Sequence, residues 1–206
     1  MVHIGVFSAA DVLGQLFGAI GGGVLKTLRA RGGPIEAVMR PYLQALQDAG
    51  IQPQAHSLFL EAFSVGSGLL SAGGSSQDVE AEALAISEQL RPQALLQLAT
   101  RQPRFSVSQA VIFEDGKLVA QESSGTDTML RSAAKRPPKG RRVLVKLRPP
   151  QQPIGLDPPA IGPKTLRHAK QAGISGIILD AEHGIVFDRA ETMAVAGTLG
   201  IWIIGA

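Results

Sequence analysis

Two short groups of polar and small residues in this chain are placed where they can do chemistry. The first is residues 124–127 (SGTD), and the second runs from residue 146 through Asp157 to residue 165. Each follows an apolar, strand-like run and precedes a helix-like run, so free backbone N–H groups point toward one place, which suits an anion. The carboxylates of Asp127 and Asp157 can hold a hard cation. The pattern predicts a site for a phosphate-bearing substrate with a divalent metal.

The same residues have a simpler interpretation. Thr and Asp are ordinary helix-capping residues, so the two groups are also what a pair of helix caps requires. Lys146, at the end of its predicted strand, is equally consistent with a solvent-exposed lysine. Both alternatives stay open at the level of sequence.

The composition narrows the class of protein. The chain has 206 residues, of which 45% are hydrophobic, which is enough for one large domain or two small ones. It has no cysteine, so a disulfide framework or a thiolate metal site is excluded, and we expect a cytoplasmic location. With a net charge of +3 and 4% aromatic residues, we expect no nucleic-acid partner. Residues 9–25 are apolar but contain Asp11 and several glycines, so no membrane span is predicted.

The first half of the chain has mainly helical periodicity. Helices are predicted over residues 12–28, with a break at the three glycines 21–23, and over 35–49, 79–90 and 92–100. Residues 66–77 are rich in Gly and Ser and are predicted to form a loop. Residues 1–104 are therefore expected to be a mostly helical segment.

From residue 107 onward, strands and helices alternate. A hairpin is predicted around Asp115-Gly116, then a helix over 127–134, a basic loop over 135–142 and a strand over 142–147. A helix over 164–171 leads to a buried strand over 176–179, with 185–187 as its neighbour. Asp188 and Glu191 have capping-box spacing before a helix that ends at Gly200, and residues 201–204 form a last strand. This order predicts an α/β fold: a layered domain with a mixed sheet over residues 105–206.

Residues 107–205 contain a series of short sequence motifs, here called words, that resemble the C-terminal domain of the LpxI-type UDP-diacylglucosamine pyrophosphatases. Their order and approximate spacing agree over about half the chain. The words are Ser108-Gln109-Ala110-Val111, Gly125-Thr126-Asp127, Val145-Lys146, Pro149-Pro150-Gln151, Asp157, Ile161-Gly162-Pro163, Ala172-Gly173, Asp188-Arg189-Ala190-Glu191-Thr192 and Ile203-Ile204-Gly205.

The resemblance implies an activity, a cofactor and an architecture. The family hydrolyses the diphosphate of UDP-2,3-diacylglucosamine to UMP and lipid X in lipid A biosynthesis, and it uses Mg²⁺. Its members have an N-terminal α/β domain, and the site lies between the two domains. This chain begins where the resemblance places the end of that domain, so residues 1–104 are expected to be a remnant or a linker of a lost N-terminal domain, with half of the expected cleft missing.

Two motifs of the family differ in this chain, at four positions in all. The acidic pair expected just before the Gly-Thr-Asp word appears as Gln121 and Ser124, with Glu122 the nearest acid. The Gln-Asp-x-Arg word appears as Gln151, Gln152, Pro153 and Ile154. The loss of an Asp removes a metal ligand and a candidate base, and the loss of an Arg removes a bidentate phosphate clamp.

The candidate site residues follow from the motifs and the resemblance together. Asp157 and Asp127 are the candidate catalytic residues and the candidate Mg²⁺ ligands. His168 and His183 are the alternative bases. The candidate substrate-binding residues share a place in the two groups: Gly125, Thr126, Lys146, Gln151, Gln152 and Thr165.

Three interpretations of function remain open. The first is a diverged or truncated Mg²⁺-dependent UDP-diacylglucosamine diphosphatase, a cytoplasmic enzyme of lipid metabolism. The second is a catalytically inactive relative that binds a sugar nucleotide or a protein, and the third is a degraded reading frame. The expected ligand is a lipid-linked UDP-sugar or another phosphate. The basic loop is either simply solvated, which the sequence favours, or a peripheral contact with the inner membrane. A homodimer is also left open.

Overall fold

The computed structural model describes residues 44, 47, 48, 50, 63–73, 77–101, 107–152 and 157–206. The helix predicted over residues 12–28, and most of the one predicted over 35–49, lie outside these residues. The helical prediction for residues 1–104 can therefore be compared with the structure mainly over its last third.

The described residues form a six-stranded mixed sheet in the order β1-β8-β6-β4-β2-β3. Its strands are β1 Gly68–Ser71, β2 Ala110–Glu114, β3 Lys117–Gln121, β4 Arg142–Lys146, β6 Ile174–Leu179 and β8 Trp202–Gly205. Strands β4, β6 and β8 are parallel, and the other three pair antiparallel. A second sheet pairs two short strands, β5 Ala160–Ile161 and β7 Ile185–Val186, in parallel.

Helices cover both faces of the larger sheet. Helix α1 (Gln77–Thr100) packs on one face through Ala83, Leu90, Ala94 and Leu98. Helices α2 (Thr126–Ala133), α3 (Pro163–Gln171) and α4 (Arg189–Leu199) share the apolar cluster on the opposite face. The central strands are buried on both sides, which explains the continuous apolar runs of β4 and β6. The predicted layered α/β fold is confirmed.

The hairpin and the long helix follow the sequence closely. The turn between β2 and β3 places Asp115 at φ 47° and Gly116 at φ 76°, the left-handed conformations that an Asp-Gly hairpin turn requires. Helix α1 continues through Pro92, so the two helical runs predicted on either side of that proline form one helix.

Three local predictions are wrong. The predicted loop over residues 66–77 contains the edge strand β1, which pairs with β8 despite its Gly- and Ser-rich surroundings. Strand β7 pairs with β5 and not with β6, whose two sides are already occupied by β4 and β8. Asp188 begins α4 at φ 44° and makes no side-chain capping bond within the described residues, so the predicted capping box does not form.

The sheet brings one set of strand ends together. Lys146, the last residue of β4, is in register with Ala110 at the start of β2 and with Leu179 at the end of β6. The chain leaves β3 at the same edge, because the N–H of Glu122 donates to the carbonyl of Ala110 at 2.9 Å. The basic loop precedes β4 and therefore lies at the opposite edge.

Arg142 stabilises the edge of the sheet where the basic loop lies. Its side chain is 7% exposed, and its Nε donates to Glu114 Oε2 at 2.5 Å. Its Nη1 donates to the carbonyls of Ala133, Arg136 and Ala172 at 3.2, 3.0 and 2.9 Å. One guanidinium thus joins the hairpin to the C-terminal ends of α2 and α3.

Replacing Arg142 by Met should lower the free energy of unfolding by about 3–5 kcal/mol, because it leaves a partly buried carboxylate and several carbonyls without a partner. The measurement is urea denaturation followed by circular dichroism. Arg131→Met is the matched control: Arg131 is exposed and bonds Thr128, so its replacement should cost less than about 0.5 kcal/mol. Equal losses in the two variants would show that Arg142 has no special structural role.

Candidate functional site

A buried chain of polar side chains lies where the strand ends meet. Lys146 Nζ donates to Thr126 Oγ1 at 2.6 Å, and Thr126 Oγ1 donates to Glu122 Oε1 at 3.0 Å. The other carboxylate oxygen, Glu122 Oε2, accepts the backbone N–H of Gln109 at 2.9 Å. Lys146, Thr126 and Glu122 are 7%, 8% and 6% exposed, so these bonds are shielded from water. The solvent-exposed alternative for Lys146 is therefore wrong.

Lys146 is the electrostatic centre of this region. Burial of the ammonium lowers the pKa of Lys146, and the carboxylates of Glu122, Asp157 and Asp127 act in the opposite direction. Burial is the larger effect, so these acids compensate only part of the lost hydration. The two predicted acids, Asp127 and Asp157, are thus both near enough to the same ammonium to affect its titration.

Asp157 occupies an unusual backbone conformation beside Lys146. Its φ is 47°, in the left-handed region. Its carbonyl accepts a hydrogen bond from Gln152 Nε2 at 2.7 Å and another from Gln109 Nε2. The residue keeps access to solvent, yet partial burial raises the pKa of its carboxyl, with Lys146 opposing the change and Glu122 adding to it.

Asp127 faces two basic side chains of α3. Lys164 Nζ lies 3.0 Å from Asp127 Oδ2, and His168 Nε2 lies 3.9 Å from the same oxygen. Both ring nitrogens of His168 are buried and have no hydrogen-bond partner among the described residues. Lys164 is 74% exposed, whereas Asp127 is 30% exposed. His183 lies in the turn after β6, with its Nε2 3.7 Å from Glu182.

The helix starts at this edge do not use the predicted caps. Gly125, at φ 99°, is the N-cap of α2, and Gly162 is the N-cap of α3. Neither helix has a side-chain capping bond within the part of the chain that the structure describes. Thr126 and Asp127 belong to the first turn of α2, and Asp157 precedes α3 by several residues, so the helix-cap interpretation is wrong for all three.

The remaining candidates differ in their surroundings. Gln152 is buried at 2% exposure and bonds within the site. Gln151 instead donates its amide to the carbonyl of Leu98 in α1, at 3.0 Å. Thr165 is half-buried in the first turn of α3. The structure therefore brings Thr126, Lys146, Gln152 and the two Asp residues together.

Sequence reasoning gave no role to Glu122 and Gln109. In the sequence, Glu122 stands out only as the nearest acid to the Gly-Thr-Asp word, and Gln109 only as part of a word that resembles the family. A signal was present for each: Glu122 immediately follows the hairpin, and Gln109 immediately precedes it, so both reach the edge where Lys146 ends β4. The sequence does not show that the backbone N–H of Gln109 donates to the carboxylate of Glu122.

The donor set is compatible with a metal ion shared with a ligand. Among the described residues, no group of three or more His, Cys, Asp and Glu side chains is arranged to hold a metal. Mg²⁺ is usually held by only one or two carboxylates, with water and phosphate oxygens completing its shell. Asp127 and Asp157 fit that lesser requirement. In the same described ranges, no helix has both the length and the apolar character to cross a bilayer.

Comparison with known proteins identifies the family of this region. A family model described as "LpxI C-terminal domain" matches residues 86–204, which is more than half of the chain. The chain belongs to this family. The match includes every element from the middle of α1 into β8, together with all the site residues described above. The resemblance inferred from the short sequence words is confirmed.

A curated relative gives the same result. The UDP-2,3-diacylglucosamine pyrophosphatase LpxI of Caulobacter vibrioides is 35% identical over 118 residues. These residues are 53% of this chain and 42% of the relative, so the chain matches less than half of that LpxI protein's length.

The lowered pKa of the buried Lys146 predicts a specific pH dependence of the stability of this LpxI-like domain. Because its pKa is lowered in the folded protein, the unfolded chain binds more protons between that lowered pKa and the usual value of 10.5. The free energy of unfolding should therefore gain a contribution that rises with pH in this window, by at most about 1.4 kcal/mol per pH unit.

Urea denaturation of wild type and Lys146→Met from neutral to alkaline pH measures this contribution. The difference, wild type minus variant, should increase with pH. Lys135→Met, which changes an exposed lysine of the basic loop, is the control and should leave the pH profile unchanged. A wild-type-minus-Lys146→Met difference that stays flat would mean that the ammonium is not desolvated.

Proposed function

We propose that this LpxI-like chain binds the diphosphate of UDP-2,3-diacylglucosamine and hydrolyses it to UMP and lipid X. One observation carries the proposal: a buried ammonium, Lys146, stands beside both Asp127 and Asp157 at the edge where α2 begins. A fixed cation next to free helix N–H groups stabilises negative charge on phosphate, and nearby carboxylates can handle the proton of an attacking water.

Each residue has a distinct task in this mechanism. Lys146 and the backbone N–H groups at the start of α2 neutralise phosphate oxygens. Asp157, whose pKa is raised, accepts a proton from the attacking water. The water oxygen bonds to one phosphorus, the bond from that phosphorus to the bridging oxygen breaks, and the two phosphates separate. The proton held by Asp157 then returns to solvent or to the leaving phosphate.

Mg²⁺ belongs to the same proposal. Asp127 would hold it together with diphosphate oxygens, with Asp157 as the alternative ligand, and the ion would supply further neutralisation of the phosphate charge. Asp127 reaches such a position if Lys164, which is largely exposed, transfers its contact from the carboxylate to the phosphate.

The setting of the reaction is proposed from the substrate and the charge pattern. A lipid-linked substrate places the protein at the cytoplasmic face of the inner membrane. The exposed basic residues of the loop before β4 suit contact with anionic headgroups: Lys135, Arg136, Lys139 and Arg141.

A second candidate function is binding without catalysis. Gln152 stands where the family resemblance places an Asp, and the chain corresponds to 42% of the curated relative. Gln152 is buried and already bonded to Gln109 and to Asp157, so it brings no carboxylate to the site. A sugar nucleotide could then bind without being cleaved.

Release of UMP distinguishes hydrolysis of the diphosphate from binding without catalysis. We expect the full chain, incubated with UDP-2,3-diacylglucosamine in detergent micelles and MgCl₂, to release UMP, measured by chromatography. Asp157→Asn should lower the rate at least about 100-fold, since it removes the proton acceptor. Glu191→Gln is the control because Glu191 is exposed and pairs only with Arg167 in the described structure, so its rate should match wild type.

The same samples serve for a binding measurement by isothermal titration calorimetry with UDP. Binding of UDP with no UMP release would favour the non-catalytic candidate. If a folded sample neither binds UDP nor releases UMP, both candidate functions are excluded for this site.

A further inference from the structure

Two buried glutamine amides connect the two halves of the site. Gln109 Nε2 donates to Gln152 Oε1 at 3.0 Å, and both amides also donate to the carbonyl of Asp157. The backbone N–H of Gln109 meanwhile donates to Glu122, which belongs to the Lys146 chain. Gln109 therefore joins the residues around Thr126 to the residues around Asp157.

The backbone at Asp157 needs such support. A φ of 47° is uncommon for a non-glycine residue, and although Asp adopts it several-fold more often than most residues, as Asp115 and Asp188 do here, it still costs conformational energy. The next residue is Pro158, whose ring further restricts the residue before it. A strained conformation persists only where its surroundings determine it, and here two amide donors meet the carbonyl of the strained residue.

The amides themselves are held in place. Gln109 and Gln152 are 5% and 2% exposed, so their side chains have little freedom. The carbonyl of Gln152 accepts a bond from Arg148 Nη1 at 2.5 Å, and its backbone N–H donates to the carbonyl of Pro149 at 3.0 Å. A side-chain amide can donate to one carbonyl while accepting from another amide, which an ionised carboxylate cannot do. Glutamine at position 152 is thus the residue type that completes this arrangement.

We propose that Gln109 and Gln152 are positioning residues, which hold Asp157 in its left-handed conformation so that its carboxyl stays beside Lys146 before a ligand binds. The consequence for ligand affinity rests on the proposed function, whereas the consequence for the backbone of Asp157 does not. This separation allows the two ideas to be tested independently.

The first experiment uses wild-type protein and ¹⁵N NMR. The side-chain amide hydrogens of Gln109 and Gln152 should exchange with water much more slowly than those of Gln93, an exposed glutamine on α1. The N–H of Asp157 should show order parameters as high as those of β4. Fast exchange of both buried amides, or a mobile Asp157, would overturn the proposal whether or not any ligand binds.

The second experiment replaces each amide by a side chain of similar length that cannot donate. Gln152→Met and Gln109→Met should increase the mobility of Asp157 and weaken UDP binding in the presence of MgCl₂ by about tenfold each, as loss of one hydrogen bond's net free energy implies. Gln93→Met is the matched control and should change neither quantity.

A double-mutant cycle separates positioning from general destabilisation. In an Asp157→Ala background, Gln152→Met should no longer alter UDP affinity, because the residue it positions is gone. An undiminished effect in that background would contradict the proposal. If wild type does not bind UDP at all, the proposed function fails, and the NMR measurements alone decide whether the amides position Asp157.

Discussion

The burial of one ammonium group determines how this domain is arranged at the edge of the sheet that carries the candidate site. Lys146 loses most of its hydration when β4 is covered on both faces, and such a loss is tolerated only where polar partners replace the water. Thr126 supplies the direct hydrogen bond, Glu122 accepts from Thr126, and Asp127 and Asp157 add negative charge nearby. The start of α2, the exit of β3 and the loop before β5 are therefore all tied to the end of β4.

Because burial outweighs these acids in its effect on the pKa of Lys146, the cation remains under-compensated. An arriving anion would complete the compensation, provided that it reaches the ammonium from the side where Asp157 and Lys164 remain accessible to solvent. Under the proposed function, this under-compensated cation would favour a phosphate over a neutral ligand, and the preference would arise from the burial of Lys146 at the end of β4 and not from a large excess of basic residues.

Sequence reasoning recovered the layers, the hairpin and most strand boundaries, because these depend on local periodicity and on turn residues such as Asp115 and Gly116. It failed where partners are chosen over long distances. Nothing local to β7 indicates that it pairs with β5, and the Gly- and Ser-rich surroundings of β1 hide an edge strand that only β8 specifies. The same limit applies to the candidate site. Asp127, Lys146 and Asp157 can be recognised from residue type and position, whereas Gln109 cannot, because its role depends on the hydrogen bonds that its N–H and its amide make to Glu122 and Asp157 in the folded chain.

The separation of the two basic features follows from the direction of β4. Its five residues begin at Arg142, next to the basic loop, and end at Lys146, so the loop and the site lie about 13 Å apart along the strand. A membrane contact made by the loop would hold the opposite edge of the sheet against the lipid. An exposed cation beside the site is on α3, where Lys164 pairs with Asp127. An anionic headgroup that entered the site would therefore compete with Asp127 for Lys164 of α3, whereas the basic loop would contact a different part of the membrane surface.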